Sequence, residues 1–98
     1  MYEIQGNFFD WNPGKNISNL QKHGISFKEA ATAFEDENAI YFDDIQHSQH
    51  EDRFILIGKS KVERLLVVCH CYRENETVIR IITARKASKK EMDIYGGE

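Results

Sequence analysis

The chain has 98 residues, of which 41% are hydrophobic and 30% charged, with one proline and a net charge of −3. This length predicts one domain spanning residues 1–98, and the composition excludes a disordered segment, a collagen-like repeat and a disulfide-rich miniprotein. No apolar run approaches the ~20 residues of a membrane span, and Met1–Asp10 lacks the basic start of a secretory signal. We therefore expect a soluble, cytoplasmic protein with no membrane partner.

The first third of the chain predicts one strand followed by two helices. The loosely alternating, aromatic segment 2–11 is typical of a strand. Asn12-Pro13 is typical of a helix start and His23-Gly24 of a helix end. The capping-box pattern Ser26–Glu29 then predicts a second helix, whose apolar face would be formed by Phe27, Ala30, Ala31 and Phe34.

The remainder of the chain predicts four strands and a short terminal helix. Apolar or β-branched runs place the strands at 39–42, 53–58, 65–72 and 77–84, and the short connections between the last three favour antiparallel hairpins. A second capping box at Ser88–Glu91 begins the helix, with Met92 and Tyr95 facing the core. The predicted fold is α+β: an antiparallel sheet with two helices after the first strand and a short C-terminal helix.

Charge is distributed unevenly along the chain. Residues 1–52 contain three basic and ten acidic residues, whereas residues 53–98 contain ten basic and six acidic residues. The stretch Thr77–Lys90 has five basic residues and no acidic one. This asymmetry indicates either a polyanionic partner or a solvated helix face that the acidic half balances.

Two small clusters offer alternative chemistries. Cys69 and Cys71 would point to the same face of a strand, where a disulfide between them is strained, so we expect two reduced thiols; a thiol nucleophile stays an alternative. His47 and His50 lie in a polar loop with carboxylates nearby, which is compatible with zinc, but no second ligand pair matches them. No glycine-rich phosphate loop is present, and we expect neither a metal nor a cofactor.

The arginines in and beside the last predicted strand are the strongest candidate site residues. Arg80 interrupts an apolar run, so it either forms an ion pair or lines a concave site. Arg85 and Lys86 follow that strand, next to the start of the terminal helix, where two oxygens of a phosphodiester could bind. Strict alternation would point Arg80 and Arg85 to opposite faces unless the strand twists or bulges near Thr83-Ala84.

Four segments together resemble the BrnT family of bacterial toxins. They are Phe9-Asp10-Trp11, Lys22–Ala30, His47–Gly58 and Arg80–Ala87, and the resemblance extends from Phe9 to Tyr95. It implies a fold like that of the RelE-type ribonuclease toxins and an endoribonuclease activity that blocks translation. It also implies a cognate BrnA-type antitoxin, which neutralises the toxin and whose DNA-binding part represses their shared operon.

The resemblance matches polar residues throughout the chain, His47 and Glu91 among them, without saying which of them contact RNA. From these we select as catalytic candidates Arg80, Arg85, His23 and Arg64. As RNA-binding candidates we select Lys15, Lys22, Arg53, Arg73 and Lys86. Cleavage without a metal would need cations on the phosphate oxygens, which arginines supply, and a proton-transfer group, for which His23 is our choice among the histidines.

Two other functions remain open at the level of sequence. The basic face could be a non-catalytic docking surface for an acidic partner. A DNA-binding regulator is the other alternative, although neither a helix-turn-helix nor a basic zipper is evident and the chain is acidic overall. Degradation of RNA by the purified protein, lost on a point substitution, distinguishes the enzyme from both.

Overall fold

A computed structural model describes residues 1–96 of the chain. Two 3-10 turns, Ala33–Glu35 and Ile45–His47, lie between the main elements. In chain order, the strands and helices of this range are β1 (Tyr2–Ile4), β2 (Asn7–Asp10), α1 (Pro13–His23), α2 (Phe27–Thr32), β3 (Ile40–Asp43), β4 (Phe54–Lys59), β5 (Leu65–Arg73), β6 (Val78–Lys86) and α3 (Lys89–Tyr95).

The predicted N-terminal strand is a hairpin of two strands, β1 and β2. The chain reverses at Gln5-Gly6, where both residues have a positive φ. Glycine adopts this conformation without steric cost, and a two-residue loop of this kind joins antiparallel strands. β6 is also longer than predicted, so that Arg85 lies inside the strand and not beyond its end.

The six strands form one mixed sheet in the order β1-β2-β6-β5-β4-β3. Four of the five neighbouring pairs are antiparallel, as predicted, but β2 and β6 run parallel. The prediction of a wholly antiparallel sheet is therefore wrong at this pair. A parallel pair requires a long connection, and here two helices and three strands separate β2 from β6 in the chain.

The main core lies between the sheet and the two helices α1 and α2. The N-cap of α2 is confirmed, since Ser26 accepts a hydrogen bond from the Glu29 backbone, but the Glu29 carboxylate binds Arg64 and does not complete the capping box. Phe27, Ala30 and Ala31 are fully buried as predicted, whereas Phe34 lies beyond α2 in the 3-10 turn. The three buried residues pack on strand residues that alternate toward this face, which we call the helix face; these are Phe9, Leu56, Leu66, Val68, Ile81 and Ala84.

The opposite face of the sheet, which we call the open face, is covered only at one end. There Ile57, Val67 and Ala87 form a small cluster against Tyr95 of α3. The capping box that starts α3 is confirmed, and so is the packing of Tyr95, whose hydroxyl donates to Asp36. Met92 is half exposed, so the prediction that it faces the core is wrong. On the rest of the open face, polar side chains such as Arg80, Thr83 and Arg85 lie among Ile55, Cys69, Cys71 and Val78.

His70 lies on the helix face of β5 and is fully buried. Its ring packs in an aromatic cluster formed by Phe34, Tyr41, Phe54 and Tyr72. Nδ1 lies 3.1 Å from the carbonyl oxygen of Val68, and Nε2 has no hydrogen-bond partner within residues 1–96. Burial lowers the pKa of His70 to about 4, so the ring is neutral near pH 7 and acts as a core side chain.

A buried amide attaches α1 to the sheet. The Asn19 side chain donates to the carbonyl oxygens of Ile25 and Ala84, at 2.9 and 2.8 Å, and accepts from the Ala84 N–H at 3.1 Å. β2 ends at Asp10, opposite Arg80, so the edge of β6 beyond that point has no neighbouring strand. The Asn19 amide satisfies this edge in place of a strand and holds α1 beside it.

We predict that Asn19→Ala lowers the free energy of unfolding by about 2–4 kcal/mol, because each buried backbone group left without a partner costs roughly 1–3 kcal/mol. Urea unfolding followed by circular dichroism measures the loss. Ser18→Ala is the matched control, since the exposed Ser18 hydroxyl makes one hydrogen bond within α1. Equal stability of the two variants would contradict the role assigned to Asn19.

Candidate functional site

β6 contains one residue more than its partner strand can pair with. Cys69 lies opposite Thr83, and the next residue of β5, His70, lies opposite Ile81. Ile82 is therefore left without a partner on β5, which defines a β-bulge. Because side chains alternate between the two faces of a strand, one extra residue shifts the alternation of everything after it.

The bulge brings Arg80 and Arg85 to the same face of the sheet. Arg80 lies opposite Cys71 and Arg85 opposite Val67, and these two β5 residues are four positions apart on the open face. The sequence predicted that the two arginines could share a face only if the strand twisted or bulged near Thr83-Ala84. The bulge is at Ile82, one residue before Thr83. Both guanidinium groups belong to one surface.

Each of these two arginines contacts a carboxylate. Arg80 Nη1 donates to Asp10 Oδ2 at 2.8 Å, across the parallel pair of strands. Arg85 binds both oxygens of Glu91 through its two terminal nitrogens, each at 2.8 Å. The Arg85 guanidinium, with help from the N-cap Ser88, holds the pKa of Glu91 at about 2. The position of Arg85 is therefore fixed by the first turn of α3.

Arg53 and Arg73 share a third carboxylate, that of Glu51. Arg73 Nη1 donates to one oxygen of Glu51, and Arg53 Nε lies 3.5 Å from the other. The guanidinium groups of these arginines, Arg73 above all, lower the pKa of Glu51. Arg53 Nε is buried and has no hydrogen-bond partner in the described part of the chain.

The largest cavity that we describe, of about 350 Å³, opens on this surface. Its walls combine five cationic or titratable side chains with other strand residues of the open face and the bulge. The lining residues are Asp44, Gln46, His47, Arg53, Ile55, Val67, Cys69, Ile82, Thr83 and Arg85. We call it the arginine cavity.

Asp44 and His47 form a hydrogen-bonded pair in the wall of the arginine cavity. His47 Nδ1 lies 3.0 and 2.9 Å from the two carboxylate oxygens of Asp44, which is buried. The sequence analysis matched His47 to the family without giving it a role, and did not single out Asp44. The i, i+3 spacing of the two residues ahead of Arg53 is the signal that was available.

The cysteines are not nucleophiles in this structure. Burial and the neighbouring Asp44, 3.6 Å from the sulfur, raise the pKa of Cys69 to about 11. Burial also raises the pKa of Cys71. Because a thiol reacts as its thiolate, both side chains stay protonated and unreactive near pH 7.

A second cavity, of about 250 Å³, lies between α1 and the edge of β6. Lys15, Lys22 and His23, three residues selected from the sequence, line it together. Its floor includes Ile82 and Thr83, which also line the arginine cavity. The two cavities therefore share two lining residues at the bulge, and we call the pair of cavities the bulge groove.

Four selected residues are not among those that line the bulge groove. Arg80 and Arg73 lie on the open face, opposite Cys71 and Val78, whereas Arg64 and Lys86 do not. Arg64 contacts the carboxylate of Glu29 through two nitrogens and the carbonyl oxygen of Gly24, so it ties the turn before β5 to the helices. Lys86 lies opposite Leu66, a core residue, so its side chain is on the helix face and not beside Arg85. The structure does not bring Arg64 or Lys86 to the predicted site, because the hairpin turn and the strand alternation direct them elsewhere.

Within residues 1–96 no group of three or more His, Cys, Asp or Glu side chains is arranged to hold a metal ion. His47 and His50, the zinc pair that the sequence left open, are therefore not part of such a group in the described range. In the same range, no helix is long and apolar enough to cross a membrane.

Comparisons with known proteins were made by sequence and by structure. A family model described as "Ribonuclease toxin, BrnT, of type II toxin-antitoxin system" matches residues 11–91. The crystal structure of the Brucella abortus ribonuclease toxin BrnT is similar in fold, with a TM-score of 0.64 and 21% sequence identity, covering 85% of this chain and 99% of that chain. A search of curated proteins found no match.

Proposed function

The chain belongs to the BrnT family of ribonuclease toxins of type II toxin-antitoxin systems, and on this premise we propose that it is a metal-independent endoribonuclease whose site is the bulge groove. The observation that carries the proposal is the bulge at Ile82, which puts Arg80 and Arg85 on one face and lines both the arginine cavity and the cavity that contains His23.

RNA cleavage without a metal uses the 2′-hydroxyl as the nucleophile. The 2′-oxygen loses its proton and bonds to the adjacent phosphorus, the bond from phosphorus to the 5′-oxygen breaks, and that oxygen takes up a proton. Negative charge develops on the non-bridging oxygens, where preorganised cations stabilise the transition state. In this proposal Arg85 and Arg53, which line one cavity, bind these oxygens, and His23, which lines the other, transfers a proton.

The other cations of the site hold the RNA backbone. Arg80 lies four strand positions from Arg85 on the open face, about 13 Å at the usual rise of a strand, so it binds a neighbouring phosphate. Arg80 uses only Nη1 to bind Asp10 among the contacts described, which leaves other N–H groups of its guanidinium for a phosphate. Lys15 and Lys22 extend the path along α1, and Arg73 extends it on the open face.

The remaining functional expectations follow from the family. We propose that cleavage takes place in the cytoplasm and blocks translation, and that a BrnA-type antitoxin neutralises the toxin by covering the basic stretch Thr77–Lys90. In this proposal the chain reaches operon DNA only through the antitoxin. A kinship with RelE-type ribonucleases stays a prediction. The alternative, a non-catalytic docking domain, is favoured by the carboxylates that already contact the arginines, and the cleavage assays below distinguish the two.

We predict that Arg85→Ala and Arg80→Ala each relieve growth arrest when the chain is expressed without antitoxin, while the protein stays folded. The loss of one charge-stabilising donor costs about 10²–10³ in rate. The purified variants should show the corresponding loss on RNA, and circular dichroism checks their fold. Arg80→Lys should also be defective, because it keeps the charge and loses the planar fork.

Three control variants accompany these arginine substitutions. Lys89→Ala and Lys90→Ala, on the exposed first turn of α3, should cost far less because surface lysines add only diffuse attraction. Asp10→Asn removes the ion pair of Arg80 and leaves the guanidinium in place. If Asp10→Asn is as inactive as Arg80→Ala, or if Arg80→Ala remains toxic, then Arg80 is a structural ion-pair residue and the proposal for it fails.

Chelation tests the metal-independent mechanism. We expect RNA cleavage to continue in EDTA, since arginine side chains supply the cations of the site. Activity that disappears in EDTA and returns with one added divalent ion would contradict this expectation. His47 and His50 would then have to be reconsidered as metal ligands.

The antitoxin proposal is tested by co-purification. We predict that co-expression with the small open reading frames adjacent to the gene yields a complex, and that its association slows at high salt because the basic stretch steers an acidic or amphipathic partner. Affinity purification of the tagged chain followed by mass spectrometry identifies the partner. Failure of every neighbouring small protein to bind would contradict the toxin-antitoxin assignment.

A further inference from the structure

We propose that His47, held by Asp44, is the general base of the bulge groove, a role that rests on the proposed ribonuclease function. The two residues are three positions apart at the 3-10 turn between β3 and β4. Asp44 directs both carboxylate oxygens at His47 Nδ1, at 3.0 and 2.9 Å. An ionised carboxylate only accepts hydrogen bonds, so the proton is on Nδ1 and Nε2 is left as the acceptor.

The segment that carries this pair is held by its own backbone and side chains. The Asp44 N–H donates to the carbonyl oxygen of Arg53 at 2.8 Å, which closes the segment at its base. The Ser48 hydroxyl donates to the carbonyl oxygen of Asp44 at 2.6 Å and accepts from the Arg53 N–H at 3.0 Å. The position of Asp44 is therefore determined by the loop and not by the ligand, as preorganisation requires.

Asp44 and His47 differ in burial, so that one side of the His47 ring contacts a buried carboxylate and the other side faces solvent. The Asp44 side chain is 10% exposed, whereas the His47 side chain is 62% exposed. A carboxylate withdrawn from water needs a partner, and the ring of His47 supplies it while its other edge stays open to solvent. His47 lines the arginine cavity and the neighbouring depression, and in this proposal its Nε2 serves a molecule bound in the arginine cavity.

The groups around His47 come from three other parts of the fold. Arg53 and Arg85 line the same cavity from the start of β4 and from β6, and the protonated thiol of Cys69 contacts Asp44 from β5. Glu51 and His50 line a second depression at the same loop, which His47 and Arg53 also border. Two cations and one acceptor nitrogen around a single cavity suit a phosphate with a hydroxyl next to it, as at the cleaved bond in RNA.

In the resulting step, His47 Nε2 accepts the proton of the 2′-hydroxyl while the 2′-oxygen bonds to phosphorus. His23, across Ile82 and Thr83, gives a proton to the departing 5′-oxygen as its bond to phosphorus breaks. The products are a 2′,3′-cyclic phosphate and a free 5′-hydroxyl. Asp44 is a positioning residue, because it acts on the substrate only through the ring of His47.

The test compares His47→Gln, Asp44→Asn, the double variant and His50→Gln on a short RNA, with kcat and KM measured separately. We expect His47→Gln to lower kcat by about 10²–10⁴ with little change in KM, the range typical of a general base. Asp44→Asn should lower kcat and leave KM unchanged. Because the two residues act as one unit, the double variant should be no slower than His47→Gln. His50→Gln, in the same loop, is the matched control and should cleave normally.

Nitrogen-15 NMR of the histidine rings supplies a readout that does not depend on cleavage. The ring of His47 should carry its proton on Nδ1 in the neutral form, and Asp44→Asn should abolish this preference without changing the rings of His23 and His50. Asp44 is buried, so melting of each variant is recorded, and His47→Gln tests the exposed side chain if Asp44→Asn does not fold.

The possible failures are distinguishable. No cleavage by the unaltered chain would overturn the proposed ribonuclease function and the catalytic role of His47 with it. Cleavage that His47→Gln leaves unchanged would overturn the inference alone. A loss that appears in KM, or a double variant with additive losses, would show that His47 only binds RNA or that Asp44 acts independently.

Discussion

The site depends on how the edge of β6 is completed after β2 ends at Asp10. From that point a helix side chain, the amide of Asn19, takes the place of a neighbouring strand and binds the backbone of Ala84. A strand edge that pairs with a helix side chain does not have to keep the register of a regular sheet on that side. The bulge at Ile82 lies just before this contact, in the segment that α1 borders.

One inserted residue has consequences for charge as well as geometry. Arg80 and Arg85 would be on opposite faces of a regular strand, with one of them directed at the apolar core, where an arginine is rarely tolerated without a partner. The bulge places both on the open face, where Asp10 and Glu91 hold them. Their ion pairs lie at the surface and add little to stability, so positioning is the better account of these contacts.

Much of the fold was predictable because its signals are local. The capping residues of α1 and α3, most of the apolar stripe of α2 and the long apolar strands β4–β6 all act within a few residues, and the structure confirms them. The family resemblance is confirmed as well. The parallel pairing of β2 with β6 was not predictable, because it joins residues about 70 positions apart and no turn between them specifies direction.

Sequence alone therefore determined the residue types of the site and the family to which the chain belongs. Only the tertiary structure decided which of those residues meet: it places Lys15, Lys22 and His23 beside the bulge, and it directs Arg64 and Lys86 away from it. The hydrogen bond between Asp44 and His47 was also visible only in the tertiary structure. The physical reason is that the chemistry of a residue is a property of that residue alone, whereas the face of the sheet on which its side chain lies depends on strand register. A single unpaired residue moves the side chains that follow it to the opposite face.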